Sequence, residues 1–588
     1  MFSNALSRDG RSLAASRSGV LSYALAVCLF AGVALAAPSR AFAATHAEKI
    51  DALIRSYSKL RQFNGSALVA EKGRIILRKG YGMANMEWRI PNAPDTKFRI
   101  GSNTKQFTSM LIMQLVSEGK IGLDDKITRY LTAYRKDTGD KVTVRHLLTH
   151  TSGIPNYTDR PGWREATIAP HAVADFVTQF AAGDLEFEPG SRFQYSNSGY
   201  FLLGAIIEQV TGAAYEDVLR ERIFAPLGMK DSGYDHAETV LLRRAAGYQR
   251  SPDGYRNVRY LDMSNPFAAG ALYSTVDDLF KWDCALYTEK LLDEEHKKTM
   301  WTPARNGYAF GWVVAKARLD DGKTEVSILS HDGGINGFHS VLRRMPDTQD
   351  FVILLDNTSS GNTVDALARG IIDILHGIEA PGPKQSIADE LAKTTKASGV
   401  TAALARYREL KTKEPLTWDF DEGALNDLGY EALQARNLDV AIDALRLNVE
   451  EHPKSWNVYD SLGDAYEAHG DRELALANYQ KSVELNPRNT NGDEAVKRLQ
   501  QPPGAVDVPR LARYVGTYRL SSGGELIVMR EADKLVVQTP GSPRGDLVTD
   551  SPTDFHRADG RASITFAADG RGLVLHQGGR DVPGKWVK

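Results

Sequence analysis

Phe98-Arg99-Ile100-Gly101-Ser102-Asn103-Thr104-Lys105-Gln106-Phe107 is the stretch around which the chain is organised. Strand-like Phe-Arg-Ile ends at Gly101, and apolar residues then recur at Phe107, Met110, Leu111, Met113 and Leu115, the spacing of a helix. Ser102 therefore falls at or next to the helix N-terminus. Lys105 follows three residues later, one turn on, where its amine can reach back to the serine hydroxyl. A serine hydroxyl attacks poorly until something takes its proton. A lysine amine can do so when desolvation or nearby positive charge lowers its pKa. The helix N-terminus adds unpaired N–H groups and positive potential where an oxyanion would form. Taken alone, the same residues also describe a serine-capped helix with a solvated lysine, so the decision rests on what surrounds them.

Two more stretches carry polar groups at the ends of apolar elements. In Gln194-Tyr195-Ser196-Asn197-Ser198-Gly199-Tyr200, Tyr195 and Asn197 stand just before or at the start of a helical run through Leu202, Leu203, Ile206, Ile207 and Val210. A phenol held near cations can lose its proton and act as a general base, and an asparagine offers both a donor and an acceptor to a substrate amide. Strands are expected over 309–315, 326–330, 339–343 and 351–356. Between the second and third lies His331-Asp332-Gly333-Gly334-Ile335-Asn336-Gly337, read as a histidine at a strand end followed by a Gly-rich hairpin loop. Glycine lets backbone approach a ligand closely, and the Gly334 N–H could pair with that of Ser102 as an oxyanion hole. The Leu-Leu-Thr-His-Thr-Ser-Gly run at 147–153 invites a His–Ser pair, but its Gly and Pro155 mark a turn after a helix, a structural corner. No G-x-S-x-G elbow surrounds Ser152 or Ser102, which leaves an α/β-hydrolase reading without its main motif.

Ser102-x-x-Lys105, then Tyr195-x-Asn197, then His331-x-Gly333, in that order, resemble the motifs of the serine β-lactamase-like family. Its members include class C β-lactamases, DD-peptidases, D-aminopeptidases and esterases. Leu147–Pro155, Gly270–Leu279 and Tyr308–Trp312 are similar to the family as well. The resemblance implies an α+β fold for residues 44–378: an antiparallel sheet with helices on both faces and an all-helical region, its strands drawn from both ends of the domain. It implies acyl transfer, with Ser102 as nucleophile and Lys105 and Tyr195 sharing the base role. Asn197 would orient the acyl side, and Gly333 and Gly334 would lie beside the oxyanion. Class C β-lactamases begin the third motif with Lys; His331 stands there instead, as in peptidase-like members. A neutral His331 is favoured, because Lys105 already supplies positive charge nearby. With an ordinary pKa of about 6.5, it would titrate between about pH 5.5 and 7.5. The implied substrate is an amide or ester, first of all a D-amino-acid-containing peptide, with carboxylesterase and weak β-lactamase as alternatives. From another class, a non-catalytic penicillin-binding receptor would use the C-terminal repeats as its surface. No cofactor or metal is implied.

Elsewhere, Arg8, Arg11 and Arg17 precede an apolar run from Val20 to Ala37 and an Ala41-Phe42-Ala43 site. Residues 1–43 therefore read as a secretory signal peptide or an uncleaved anchor, and the protein as exported, periplasmic or secreted. The chain is 42% hydrophobic and 25% charged with net charge −2, without the basic stripe that nucleic acid would require. Beyond a linker at 379–385, residues 386–500 read as helical. Leu428/Leu462, Gly429/Gly463, Ala441/Ala475 and Pro453/Pro487 repeat at a period of 34, which resembles tetratricopeptide repeats. Residues 421–487 would be either a partner groove or a spacer, with 386–410 as a capping helix pair. After a second linker at 501–508, residues 509–588 alternate apolar and polar as a small all-β barrel or sandwich, similar to the lipocalin-like domain that follows related peptidases and esterases.

Overall fold

The computed structural model describes residues 44–588 apart from 161–162, 252–253, 488, 501–507, 533, 541–543, 550–552, 559–561, 568, 578–579 and 588. The leader read at 1–43 and nearly all of the linker read at 501–508 lie outside the described residues.

Successive residues of a strand point to opposite faces, and the central strands here are apolar on both. Leu68 and Ala70 join one core while Ala67 and Val69 join another; Phe351, Ile353 and Leu355 part in the same way from Val352 and Leu354. Such strands need cover on two sides. They belong to a six-stranded sheet of β1 (Gly65–Glu71), β2 (Arg74–Tyr81), β3 (Val313–Arg318), β4 (Glu325–Ile335), β5 (Phe338–Met345) and β6 (Asp350–Asp356), ordered β3-β4-β5-β6-β1-β2 and antiparallel throughout. The pairing of β1 with β6, Gly65 opposite Asp356, joins the two ends of the module. One face is covered by α1 (His46–Lys59) and the helix Gly361–Leu375, through Ile50 and Ile54 on one and Val364, Leu367 and Ile371 on the other. The start of α1 is fixed by a capping box between Thr45 and Glu48. The other face carries the helical part, including α2 (Thr104–Ser117), α3 (Val144–Leu148), α4 (Asn197–Thr211) and α5 (Phe267–Gly270).

Two strands differ from the sequence reading. The strand expected at 309–315 runs from Val313, because the chain bends at Gly311 (φ +74°), where a Cβ would lie 2.6 Å from the carbonyl oxygen of Lys105. The strand expected to end at 330 continues to Ile335, so His331, Gly333 and Gly334 are strand residues paired with Leu342, Ser340 and His339. The glycines that read as a loop answer to a close approach instead: a Cβ on Gly333 would fall 1.9 Å from the Ile100 carbonyl oxygen.

Beyond the sheet, helices pair as Ile387–Ser398 with Val400–Lys413, Glu422–Gln434 with Leu438–Glu451, and Trp456–His469 with Arg472–Leu485, followed by Thr490–Gln500. A Cβ on Gly429 would meet Leu445 at 2.5 Å, and one on Gly463 would meet Tyr479 at 2.8 Å. The repeated glycine thus sets how closely each pair packs. This region meets the sheet-containing module where Arg61 and Arg250 both pair with Asp389 and the Gln62 side chain donates to the Lys384 carbonyl at 2.6 Å. The C-terminal region is a closed antiparallel barrel of eight strands, not a sandwich. Its first strand, Gly516–Leu520, pairs with its last, Arg580–Trp586, around Tyr514, Tyr518, Phe555 and Phe566.

Candidate active site

Ser102 lies on a tight 3-10 turn, Gly101–Asn103, which leads directly into α2. The turn is held from both sides. Upstream, Phe98–Arg99 pairs with the strand Leu272–Ser274. Across it, Asn103 Nδ2 donates to Ser340 Oγ at 2.7 Å, and Ser340 Oγ donates to the Ile100 carbonyl at 2.7 Å. Gly101 has φ +50°, and a Cβ there would press on Gly333 and Gly334 at 3.0–3.1 Å. Those two glycines therefore stand beside the serine turn, and a Cβ on Gly334 would meet only open space.

Lys105 is fully buried on α2. Its Nζ has three polar neighbours: Ser102 Oγ at 3.0 Å, Asn197 Oδ1 at 2.8 Å and the Ala269 carbonyl oxygen of α5 at 2.8 Å. None is a carboxylate. Burial therefore holds its pKa well below the usual lysine range. A neutral amine has two N–H donors and one lone pair. Asn197 Oδ1 and Ala269 O can only accept, so they take the two N–H groups and the lone pair faces the Ser102 hydroxyl. The Tyr195 phenol donates to the same Ser102 Oγ at 2.9 Å. The serine hydroxyl thus has a donor on one side and a proton acceptor on the other.

The state of Tyr195 differs from the sequence expectation of a partly deprotonated phenol. Burial pushes its pKa up, and the hydrogen bond with Ser102 offsets only part of that; the phenol keeps its proton near neutral pH. His331 also differs in its partner. Its Nδ1 lies 2.7 Å from the Asp332 carbonyl oxygen and must donate to it, so Nε2 is the acceptor for the Tyr308 hydroxyl at 2.9 Å. Both ring nitrogens are thereby engaged, and the Tyr195 ring centroid stands 6.3 Å away. Burial first, then Lys105, depresses the His331 pKa to about 3. The imidazole is neutral, as favoured from sequence, but its titration is moved out of the window expected between about pH 5.5 and 7.5.

Ser102, Lys105, Tyr195 and Asn197 are thus joined by direct hydrogen bonds. Gly333 and Gly334 flank the serine turn, and His331, hydrogen-bonded to Tyr308, is a ring neighbour of Tyr195. Sequence reasoning gave no role to Tyr308, to the Ala269 carbonyl or to His150, whose ring centroid is 4.3 Å from that of Tyr195. The signal was nonetheless present, since Tyr308 and His150 fall inside stretches that carry the family resemblance and Ala269 immediately precedes another. Ser152 receives the Ile154 N–H on its own hydroxyl at 3.2 Å, a turn contact in keeping with a structural corner.

The family described as Beta-lactamase matches residues 50–376. The chain is 31% identical over 391 residues to penicillin-binding protein 4* of Bacillus subtilis (strain 168), a match covering 61% of this chain and 81% of that protein. Among solved structures it is similar to a penicillin binding protein from Bacillus halodurans, at 28% identity and TM-score 0.47 over 55% of this chain and 97% of that one. It is also similar to D-amino acid amidase from Ochrobactrum anthropi SV3 complexed with L-phenylalanine amide, at 28% identity and TM-score 0.49 over 56% and 99%.

Proposed function

The chain belongs to the beta-lactamase family and is a serine hydrolase, and from that premise we propose that it forms an acyl-enzyme through Ser102 and cleaves an amide or ester. A D-amino-acid-containing peptide is the first choice of substrate. The observation that carries the reading is the pair of contacts to Ser102 Oγ: 3.0 Å from the Lys105 amine, whose pKa burial lowers, and 2.9 Å from the Tyr195 phenol, whose pKa burial raises. Lys105 takes the serine proton as Oγ attacks the carbonyl carbon. The resulting ammonium is held by Asn197 Oδ1 and the Ala269 carbonyl. Tyr195 gives its proton to the leaving amine or alkoxide and regains one from Lys105, and water then releases the acyl group by the reverse steps. N–H groups of Ser102 and Gly334 serve as the oxyanion donors, a contribution worth about 2.7–4 kcal/mol per donor in comparable sites.

The Bacillus subtilis relative is named for binding penicillin. Penicillin is a strained cyclic amide that a nucleophilic serine opens, which supports acyl transfer here too. A neutral His331 with both ring nitrogens engaged offers no cation to a β-lactam carboxylate, which favours peptide, amide or ester over efficient β-lactam turnover. Export rests on the reading of residues 1–43 alone.

The test is covalent labelling with a fluorescent penicillin and a fluorophosphonate, followed by peptide mass spectrometry. The adduct is expected on Ser102, and Ser102→Ala abolishes it; an adduct on Ser152 or any other serine overturns the assignment. A panel of D-Ala-D-Ala peptides, D-amino-acid amides, p-nitrophenyl esters and nitrocefin then ranks the substrate classes.

A further inference from the structure

The segment that carries Tyr195 and Asn197 is laced to the corner after α3. The Gln194 N–H donates to the His150 carbonyl at 2.9 Å, and the Ser196 N–H donates to His150 Nδ1 at 3.1 Å. The Ser196 hydroxyl donates to the Ile154 carbonyl at 3.2 Å, and the Asn197 N–H to Asn156 Oδ1 at 3.0 Å. His150 thus grips the chain on both sides of Tyr195, once through its carbonyl and once through its ring. Its backbone makes this geometry available: with φ +56°, at the exit of α3, carbonyl and side chain are both offered to the 194–196 segment. The ring then lies against Tyr195 and Tyr308, centroids 4.3 and 4.5 Å away.

Nδ1 accepts an N–H, so it carries the lone pair, and the proton of the neutral ring is on Nε2. That Nε2 is buried and has no hydrogen-bond partner among the described residues. A buried donor left unmade is unfavourable. A phenylalanine would fill the same space between the tyrosines without it. What histidine adds over phenylalanine at this position is the Nδ1 acceptor.

We propose that His150 is a positioning residue for acylation: its Nδ1 fixes the backbone immediately after Tyr195, and its ring sets the plane of the phenol, so that the Tyr195 hydroxyl meets Ser102 Oγ. The proposal rests on the acyl-enzyme reading above and assigns His150 no contact with substrate.

The experiment measures the rate of Ser102 labelling by a fluorophosphonate and a fluorescent penicillin, as a function of probe concentration and pH, for full-length wild type, His150→Phe, His150→Gln and His150→Asn. Asn can present Oδ1 where Nδ1 stands; Gln reaches the Nε2 position, and Phe presents no acceptor. His150→Phe and His150→Gln are expected to lose about 100-fold in the first-order acylation rate, the scale of a misplaced reacting group, with half-saturating probe concentration unchanged. His150→Asn is expected to recover most of that loss and the wild-type pH profile. A folding defect without a positioning role would move labelled fraction and melting temperature together, and Asn would not rescue the rate of the folded fraction. If His150→Phe does not fold, the contrast of Asn with Gln decides. Equal rates for Phe and wild type, or rescue by Gln as good as by Asn, overturn the proposal. A wild type whose adduct is not on Ser102 overturns the functional reading instead, and this proposal with it.

Discussion

Lys105 and Arg344 are both buried basic side chains of the hydrolase module, at 0% and 1% exposure, and their surroundings are opposite in kind. Arg344 Nε donates to Asp283 Oδ1 at 2.7 Å, and its guanidinium lies over the rings of Tyr287 and Trp301 at 4.3 and 5.3 Å. Burial pushes the Asp283 carboxyl up while Arg344 pulls against it. Among the described residues Lys105 has no carboxylate partner, only the dipoles of Asn197, Ala269 and Ser102. A buried base facing a carboxylate stays charged and acts as a structural tie. A buried base facing only neutral acceptors is pushed toward its uncharged form. Burial alone does not distinguish the two; the guanidinium's own basicity and the identity of the partner together do.

Exchanging each base for methionine tests this contrast most strongly. Lys105→Met is expected to lower the Ser102 acylation rate by about 10³-fold, within the range for a lost general base. Its stability cost is two unpaired acceptors, about 1–3 kcal/mol each, offset near neutral pH by removal of the amine that folding holds deprotonated. Arg344→Met is expected to leave acylation near wild type and to lose about 3–5 kcal/mol, because Asp283 becomes an uncompensated buried charge. Labelling kinetics and denaturant unfolding on the same two proteins measure both effects. If Arg344→Met depresses acylation as deeply as Lys105→Met, the contrast fails.

The three motifs were legible because each chemical group lies close in sequence to the element that aims it: Ser102 and Lys105 one turn apart on α2, Tyr195 and Asn197 at the mouth of α4. What was not legible is set by tertiary approach. The Ala269 carbonyl is a backbone atom with no sequence signature. His150 and Tyr308 look like a corner and an aromatic anchor until the chain folds them around Tyr195. The extent of β4 was misread because Asp332-Gly333-Gly334 has loop propensity, yet those glycines are needed where the Ile100 carbonyl crosses the strand. Likewise the period of 34 showed where small residues recur, but not that Gly429 and Gly463 face Leu445 and Tyr479.

The pH dependence of stability sharpens the contrast further. The folded pKa of Lys105 is depressed, so below the unfolded value of about 10.4 the unfolded chain binds a proton that the folded chain does not. The stability associated with the neutral amine is therefore present in full above that pH. It falls by up to about 1.4 kcal/mol per pH unit as pH drops toward the folded pKa. His331 acts with the same sign in a lower window: its contribution is complete above about pH 6.5 and is lost as pH falls toward its folded value of about 3. Denaturant unfolding across pH 5–10 is expected to show Lys105→Met flattening the alkaline part of the slope and His331→Gln the part below about 6.5. Arg344→Met is expected to flatten neither, since an arginine keeps its charge across the range. An alkaline slope that survives Lys105→Met would show that the amine is not held neutral in the fold.

The smallest expected effect lies at the contact between the module and the helical region. Asp389 is held by Arg61 at 3.1 Å and by Arg250, with the two arginine side chains 30% and 21% exposed, so water screens much of the attraction. Arg250 belongs to the strand Tyr248–Ser251, whose Tyr248 N–H donates to the Asn357 carbonyl at 2.9 Å, just beyond β6. The preceding Gly247 packs against Gly337 at the turn after β4, where a Cβ on Gly337 would come within 2.6 Å of it. A continuous line of contacts therefore runs from the first helix of the helical region to the strand that bears His331. The hydrogen bonds to Ser102 Oγ, however, come from Lys105 on α2 and from Tyr195 just before α4, neither of which belongs to that line. Asp389→Asn is accordingly expected to lower stability by about 1 kcal/mol, the scale of a screened ion pair, and to leave the acylation rate unchanged. Thermal unfolding and Ser102 labelling of the full chain measure the two together. A labelling rate that falls while the melting temperature holds would mean that β4 transmits the state of the helical region to the site, and that Lys105 is less insulated than its neutral surroundings imply.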